Sequence, residues 1–443
     1  MNLTAAHYSA PHGLQPSLGA AHGSVKVAKT GPALRRFLSF AGPGYLVATG
    51  YMDPGNWATA LAGGSRYGMT LLFVAVLSSL MAIVLQALSA RLAFATGLDL
   101  AQNCGASFPR PVRLVFWLIM ETAIVATDLA EVIGTAIGLE LLTGLPLGAG
   151  VVLTALDALL ILAFMRFGFR KLEAFVVSLL ILIASCFAVE LFLARPDMAE
   201  VARALLPSRE LVTNTGMLYI GLGILGATVM PHNLYLHSGV VLTRQVGLSL
   251  AERASAIRLS ILDSTVALLF ALLINGSILI LAAAAFYAHG HTEVAELQDA
   301  YYLIAPLLGS ALAAKLFAIA LIACGLNSTL TATLAGQIVM EGFINIKLNP
   351  VARRLLTRLV AIVPAAAVVV IGGSAATNSL LVLSQVILSL TLPFAVVPLV
   401  AFTASRRRMG ALKAPLATSA IAGLIAVVII GLNAKLVFDA IVG

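Results

Sequence analysis

Long apolar stretches separated by short polar segments recur along the whole chain. Each stretch is close to the ~20 residues that an α-helix needs to cross the hydrocarbon core of a bilayer. Eleven spans are predicted, at about residues 38–63, 68–94, 112–139, 148–166, 172–194, 213–241, 257–286, 305–335, 354–373, 376–403 and 416–440. A transmembrane barrel would instead show alternating strands of about ten residues. The pattern therefore predicts an all-α polytopic membrane protein.

Two of these spans are interrupted at mid-length by related motifs. The first contains GPGYLVATGYMDPGN and the sixth contains YIGLGILGATVMPHN, so that Pro54 matches Pro231 and Asn56 matches Asn233. Because the sixth span comes five spans after the first, the two interrupted spans cross the membrane in opposite directions. Paired spans broken by Pro and Gly are the sequence signature of an inverted-repeat transporter.

The repeat predicts how the chain is organised. Residues 1–36 are predicted to be a flexible cytoplasmic tail, and residues 37–443 a single transport domain. Within that domain, repeat 1 covers about 37–195 and repeat 2 about 213–404. An additional helix at about 416–440 follows the two five-helix repeats.

Charge and composition support a membrane protein and fix its predicted orientation. The 443 residues are 60% hydrophobic and only 10% charged, whereas a soluble domain has about 25% charged residues. With the N-terminus in the cytoplasm, most lysines and arginines fall on the cytoplasmic side, and the C-terminus lies outside. This bias explains the net charge of +8 without a nucleic-acid partner.

Five residues receive no role from the sequence. They are the tail histidines His7, His12 and His22 and the isolated acids Asp157 and Asp263.

The mid-span breaks predict a cation site. A proline inside a helix removes one hydrogen bond and crowds the carbonyl group four residues earlier. Gly50 and Ala227 stand four residues before the two prolines, so their carbonyl oxygens should be free. The first half of each broken helix also ends here, and its C-terminal dipole end is partly negative. Asp53 and Asn56 add hard oxygens, and an acid at membrane depth is functional by default.

Met230 narrows the choice of ion, because it occupies the position that matches Asp53. A thioether sulfur favours transition metals such as Mn²⁺ or Fe²⁺ and offers little to Ca²⁺ or Mg²⁺. Ordinary core packing is the alternative for this methionine. Gln385, a polar residue in span 10, either joins the site or packs helices.

Span 3 carries three acids on one helical face, spread over roughly 15 Å. They are Glu121, Asp128 and Glu131. Such a row is typical of a proton path, and His232 titrates near neutral pH when unperturbed. Arg353 and Arg354 at the start of span 9 are candidate partners for the inner acids. A structural ion-pair cluster that holds helices in register is the alternative.

Four motifs together resemble the Nramp family, and within it the bacterial MntH-type manganese importers. They are DPGN at 53–56, MPHN at 230–233, STLTATLAGQIVMEGF at 328–343 and SQVILSLTLPFA at 384–395. The resemblance covers residues 36–440. It implies a LeuT-like fold in the bacterial cytoplasmic membrane and proton-coupled uptake of divalent transition metals. Metal and proton are then substrates, and no cofactor is expected.

The resemblance also implies roles for individual residues. The implied metal ligands are Asp53, Asn56 and Met230, with backbone oxygens at Gly50 and Ala227 and the side chain of Gln385. The implied proton route contains Asp128, Glu131, His232 and Arg353. The sequence departs from the family pattern at Leu326, Asn327 and Ala332, and it has Gly50 where alanine is frequent.

Other classes of protein fit less well. A sodium-coupled carrier of amino acids or other organic solutes on the same fold would need an organic-anion contact at a half-helix N-terminus, and no dedicated basic residue stands beside the breaks. An intramembrane metalloenzyme would need a motif such as H-E-x-x-H, which is missing from the sequence. We therefore expect no enzymatic activity and no obligate protein partner.

Overall fold

The computed structural model describes residues 16–19, 21–156, 167–294, 296–346 and 350–442. Within them two short strands, β1 (Val25–Lys26) and β2 (Arg244–Gln245), pair in parallel. In chain order the helices are α1 (Ala33–Phe40), α2 (Pro43–Gly50), α3 (Pro54–Tyr67), α4 (Leu72–Thr96), α5 (Leu100–Ser107), α6 (Arg110–Thr143), α7 (Leu147–Leu153), α8 (Phe169–Ala194), α9 (Met198–Arg203), α10 (Glu210–Thr213), α11 (Thr215–Val229), α12 (Pro231–Val240), α13 (Leu250–Ala285), α14 (Leu297–Leu308), α15 (Ala311–Ile344), α16 (Pro350–Thr391), α17 (Pro393–Ala404), α18 (Arg406–Met409) and α19 (Leu416–Val442).

The first predicted span is two helices, α2 and α3, separated at the DPGN motif. Asp53 is the N-cap of α3, and its Oδ1 accepts a hydrogen bond from the Asn56 backbone N–H at 2.9 Å. Pro54 follows at the first helical position, where a missing N–H costs nothing. An aspartate cap followed by proline restarts the helix after the break.

The sixth predicted span is broken in the same way, between α11 and α12. Met230 stands alone at the junction with φ 23° and ψ 111°, a backbone conformation that L-residues with side chains rarely adopt. Residues held in such conformations concentrate at functional sites. Both predicted helix breaks are therefore confirmed.

The two broken spans cross each other antiparallel at the centre of the molecule. Helix α3 packs on α11, and α2 packs on α12, so each half contacts the opposite half of its partner. The long helix α13 packs along both α2 and α3. This arrangement brings both breaks to the same depth.

The predicted spans differ from the structure in several places. Spans 9 and 10 were predicted as separate, but residues 350 to 391 form the single helix α16, because no proline interrupts the short connection at Ser374 and Ala375. The predicted span 305–335 begins later, at Ala311, after the separate helix α14. Asp157 and the other residues of span 4 at 158–166 lie outside the described residues. Seven helical segments of the described chain are long and apolar enough to cross a membrane, and the count of eleven stays a prediction.

Flexibility of the predicted tail at residues 1–36 stays a prediction, although its described part makes defined contacts. Residues 21–36 pack against the body of the protein, where β1 pairs with β2 and α1 begins at Ala33. The Leu18 backbone N–H donates to Glu341 Oε2 at 3.0 Å, and Lys29 pairs with Glu252 at 3.0 Å. A two-residue strand has no periodicity that a sequence pattern could reveal. His7 and His12 lie outside the described residues, and His22 is exposed.

Asp263, which the sequence left without a role, holds the start of the first broken span. Its carboxylate accepts hydrogen bonds from the backbone N–H groups of Gly42 at 3.2 Å and Gly44 at 2.7 Å. Arg244 lies beside it, 2.6 Å from Glu173 and 2.8 Å from the Phe40 carbonyl oxygen. We call this end of the molecule the basic face, because several arginines also lie there, namely Arg36, Arg91, Arg253 and Arg408.

Candidate metal site at the two helix breaks

The carboxylate of Asp53 is the centre of the first break. It is fully buried, and Gln385 Nε2 on α16 donates to its Oδ2 at 3.0 Å. The predicted candidates Asp53 and Gln385 are therefore in direct contact, although 332 residues separate them. The amide of Gln385 lies against the Cα of Gly55, in space that any larger residue would fill. Burial of an acid among hydrogen-bond donors suits a site that receives a cation.

Asn56 supplies the second oxygen of this break. Its Nδ2 donates to the Tyr51 carbonyl at 2.5 Å, and Asn275 of α13 donates to the same carbonyl at 2.8 Å. Since its amide nitrogen is committed to Tyr51, the side-chain oxygen of Asn56 is the atom that remains for an ion.

Two carbonyl oxygens flank the breaks. In a regular helix the carbonyl of Gly50 would accept from residue 54, and that of Ala227 from residue 231. Both acceptors face a proline, which has no N–H to donate. Each carbonyl oxygen is therefore released from the helical ladder at the point where its helix half ends.

Met230 lies at the second break with its side chain fully buried. It packs against Ala123 of α6 and Leu388 of α16. Its sulfur is 3.5 Å from Asn233 Nδ2, and the Asn233 amide in turn lies against Gly50 at the first break. The structure thus places the thioether between an apolar wall and the polar junction of the two breaks.

Access to the site differs between the two ends of the protein. A cavity of about 1050 Å³ opens at the end opposite the basic face, and its lining includes Ser65 on α3, Thr215 on α11 and Val382 on α16. Val382 stands one helical turn before Gln385, so the cavity ends close above the buried site. Asp263 and Arg244 hold the start of α2 at the basic face.

Two of the three acids predicted on span 3 form a buried ion cluster. Arg358 Nη1 lies 3.7 Å from Asp128 Oδ1 and 3.6 Å from Glu131 Oε2. Ser328 Oγ also donates to Glu131 at 2.7 Å, and Arg358 donates to the Thr154 carbonyl at 3.3 Å. All three charged side chains are almost inaccessible to solvent, so each charge depends on the others.

The remaining predicted proton-path residues are placed differently. His232 is fully buried, and neither ring nitrogen has a hydrogen-bond partner among the described residues. It lies close enough to Asp128 for their charges to interact. Glu121 accepts from the indole N–H of Trp117 at 3.0 Å, one turn away on the same helix. The side chains of Arg353 and Arg354 lie outside the described part of the chain, so their pairing stays a prediction.

Sequence reasoning missed Arg358 as a partner of the acids. It sits one turn deeper than Arg354, inside a predicted span, and a buried arginine at that depth requires an acidic partner. The position of Arg358 inside a predicted span was therefore the sequence signal that could have identified it as a partner of the acids.

The donors at the breaks are of mixed chemical type. Across the described ranges, no group of three or more His, Cys, Asp or Glu side chains is arranged to hold a metal. The site offers one carboxylate, one thioether and neutral oxygens, a mixed set that favours transition metals.

Comparison with known proteins gives matches over nearly the full length of this chain. A family model described as "Natural resistance-associated macrophage protein-like" (Nramp) matches residues 44–439. The "Divalent metal cation transporter MntH" of Agrobacterium fabrum is 60% identical over 423 residues, which cover 96% of this chain and 92% of that protein. The protein of the same name from Listeria monocytogenes is 52% identical over 423 residues, covering 96% and 94%.

Solved structures extend the comparison to the fold. The manganese transporter of Eremococcus coleocola, crystallised with an aromatic bis-isothiourea compound, superposes with a TM-score of 0.87 at 38% identity, covering 95% of this chain and 90% of that one. Mhp1, a nucleobase-cation-symport-1 family transporter, matches with a TM-score of 0.61 at 14% identity, covering 90% and 82%. The second likeness concerns the fold alone. Together they confirm the predicted LeuT-like architecture.

Proposed function

Because the chain belongs to the Nramp family, we propose that it is a proton-coupled symporter that imports Mn²⁺, Fe²⁺ and similar ions across the bacterial cytoplasmic membrane. Its relatives are named as divalent metal cation transporters, and a structural neighbour as a manganese transporter. The protein is not an enzyme.

The observation that carries this proposal is the pairing of hard and soft donors at the two breaks. Asp53 and Asn56 lie at one break and Met230 at the other, and all three are buried. Two released carbonyl oxygens and Gln385 complete a set that is concentrated where both broken helices cross. Hard oxygens alone would serve Na⁺ or Ca²⁺ equally well, whereas the sulfur favours a transition metal.

The ion cluster on α6 supports proton coupling. His232 stands two residues after Met230 and lies near Asp128, which belongs to the cluster with Glu131 and Arg358. A dication that arrives at Met230 raises the positive potential at neighbouring groups and so favours release of a proton from them. The acids of α6 are placed to receive that proton.

The two ends of the protein support alternating access. The cavity leads toward the site from one end, while Asp263 holds α2 at the basic face. In a broken helix one half can move while the other half stays packed. The site can then open toward one side of the membrane while it closes toward the other. With the predicted orientation, metal enters from outside and leaves into the cytoplasm.

The proposal is tested in proteoliposomes that contain a pH-sensitive dye. Manganese uptake is expected to rise with an inward proton gradient and to bring protons with it, and replacing sodium with choline is expected to change nothing. Uptake that follows the sodium gradient instead would favour the sodium-coupled alternative.

The α6 cluster is tested by Asp128→Asn in the same vesicles. This substitution is expected to uncouple manganese uptake from the proton gradient, because the carboxylate next to His232 can no longer exchange a proton. The control is Glu200→Gln, an exposed acid in α9, which should behave as wild type. Unchanged proton flux in Asp128→Asn would exclude this acid from the route.

A further inference from the structure

Asn233 is the second-repeat counterpart of Asn56, and it stands on α12 with its side chain fully buried. Its amide nitrogen Nδ2 points to the sulfur of Met230 at 3.5 Å. Its oxygen Oδ1 has no hydrogen-bond partner among the described residues. The opposite orientation of the amide would set the oxygen against the sulfur, and both atoms are acceptors. The contact with sulfur therefore fixes which way the amide points.

The same amide fills a notch beside the backbone of Gly50. A β-carbon built on Gly50 would lie 2.8 Å from Asn233 Oδ1 and 3.0 Å from Cγ, and it would contact Nδ2 as well. Those separations are shorter than ordinary van der Waals contact. The Gly50 backbone and the Asn233 side chain are thus fitted to each other across the two breaks.

A methionine side chain has three rotatable bonds, so its sulfur is poorly positioned unless something holds it. Ala123 and Leu388 confine Met230 by packing, but apolar contacts do not direct a sulfur lone pair. When an N–H group donates to one lone pair of the sulfur, the other lone pair points away from that donor. Groups that orient a metal ligand in this way typically change metal affinity or activity by roughly 10–100-fold when they are removed.

We propose that Asn233 is a positioning residue for the transported metal, which directs the Met230 thioether toward the junction of the breaks. This inference rests on the proposed function, because it assumes that Met230 binds the ion. It assigns Asn233 no direct contact with the metal.

The test measures Cd²⁺ and Mn²⁺ uptake in proteoliposomes, with Cd²⁺ as the more thiophilic ion. Asn233→Ala is expected to weaken the apparent affinity for Cd²⁺ by about 10-fold and that for Mn²⁺ by less. Asn233→Leu keeps the branched shape without an N–H donor and should give the same result. Asn433→Ala, which removes another buried asparagine on α19, is the control and should leave the ratio of the two affinities unchanged.

A double substitution separates positioning from general damage. If Asn233 acts through Met230, adding Asn233→Ala to Met230→Leu causes no further loss of Cd²⁺ affinity.

Independent, additive losses from Asn233→Ala and Met230→Leu would overturn the inference while leaving metal transport intact. A wild-type protein that takes up neither ion would instead overturn the proposed function, and this inference with it.

Discussion

Replacing Asp53 with asparagine is expected to reduce manganese uptake by at least about 100-fold, which corresponds to ~2.7 kcal/mol. The substitution removes a negative charge from a buried position, where a charge interacts far more strongly with a dication than it does in water. The fold should survive, because asparagine caps helices about as well as aspartate does. Its Oδ1 can still accept from the Asn56 N–H, and its Nδ2 replaces the oxygen that accepts from Gln385, whose amide can turn its own oxygen toward it.

The measurement is the initial rate of manganese uptake at saturating proton gradient, with thermal unfolding as the check on folding. Asp197→Asn is the matched control, since Asp197 is also a capping aspartate but lies in an exposed loop, where its Oδ1 accepts from Ala199. Uptake by Asp53→Asn close to the control rate would mean that the carboxylate at the break is not a metal ligand.

Replacing Met230 with leucine is expected to change which ions the protein accepts. Leucine keeps most of the volume that packs against Ala123 and Leu388, and such swaps usually cost less than about 1.5 kcal/mol of stability. What it removes is the sulfur. Cadmium uptake should therefore fall by about tenfold or more, equivalent to ~1.4 kcal/mol. Calcium should inhibit manganese uptake at a lower concentration in Met230→Leu than in the wild type.

Competition assays with Ca²⁺, Mg²⁺ and Cd²⁺ against labelled Mn²⁺ measure this change. Met217→Leu, at a buried position in α11, controls for the exchange of methionine for leucine in the same broken span. If Ca²⁺, Mg²⁺ and Cd²⁺ compete with Mn²⁺ in the same order in Met230→Leu as in the wild type, the methionine serves core packing. Its apolar neighbours are also consistent with that alternative.

The helix breaks were predictable because their causes are local. Proline removes a specific hydrogen bond wherever it stands, so Pro54 and Pro231 mark the breaks without any knowledge of the fold. The repeat then predicted that the two breaks would meet, and α2, α3, α11 and α12 pack in that way. The pattern of residues could not predict the contact between Gln385 and Asp53, because it placed Gln385 only at a suitable depth.

What the sequence left open depends on long-range geometry. Arg353, Arg354 and Arg358 lie on one helix, and only packing of α16 against α6 shows that Arg358 reaches Asp128 and Glu131. The fit of Asn233 into the notch at Gly50 is equally invisible, because it requires the distance between two breaks. Asp263 gained a role in the same way, through two backbone N–H groups of a helix more than two hundred residues earlier.

The central claim is that one transition-metal ion binds where the two breaks meet, and diffraction from manganese-soaked crystals at the manganese absorption edge tests it most directly. The account predicts a single strong anomalous peak within coordination distance of the Asp53 carboxylate, the Asn56 side-chain oxygen and the Met230 sulfur, and its loss in Asp53→Asn. An ordered crystal that shows the peak elsewhere, for example at Glu293 or Asp439 in the lining of the cavity, with nothing at the breaks, would contradict the account.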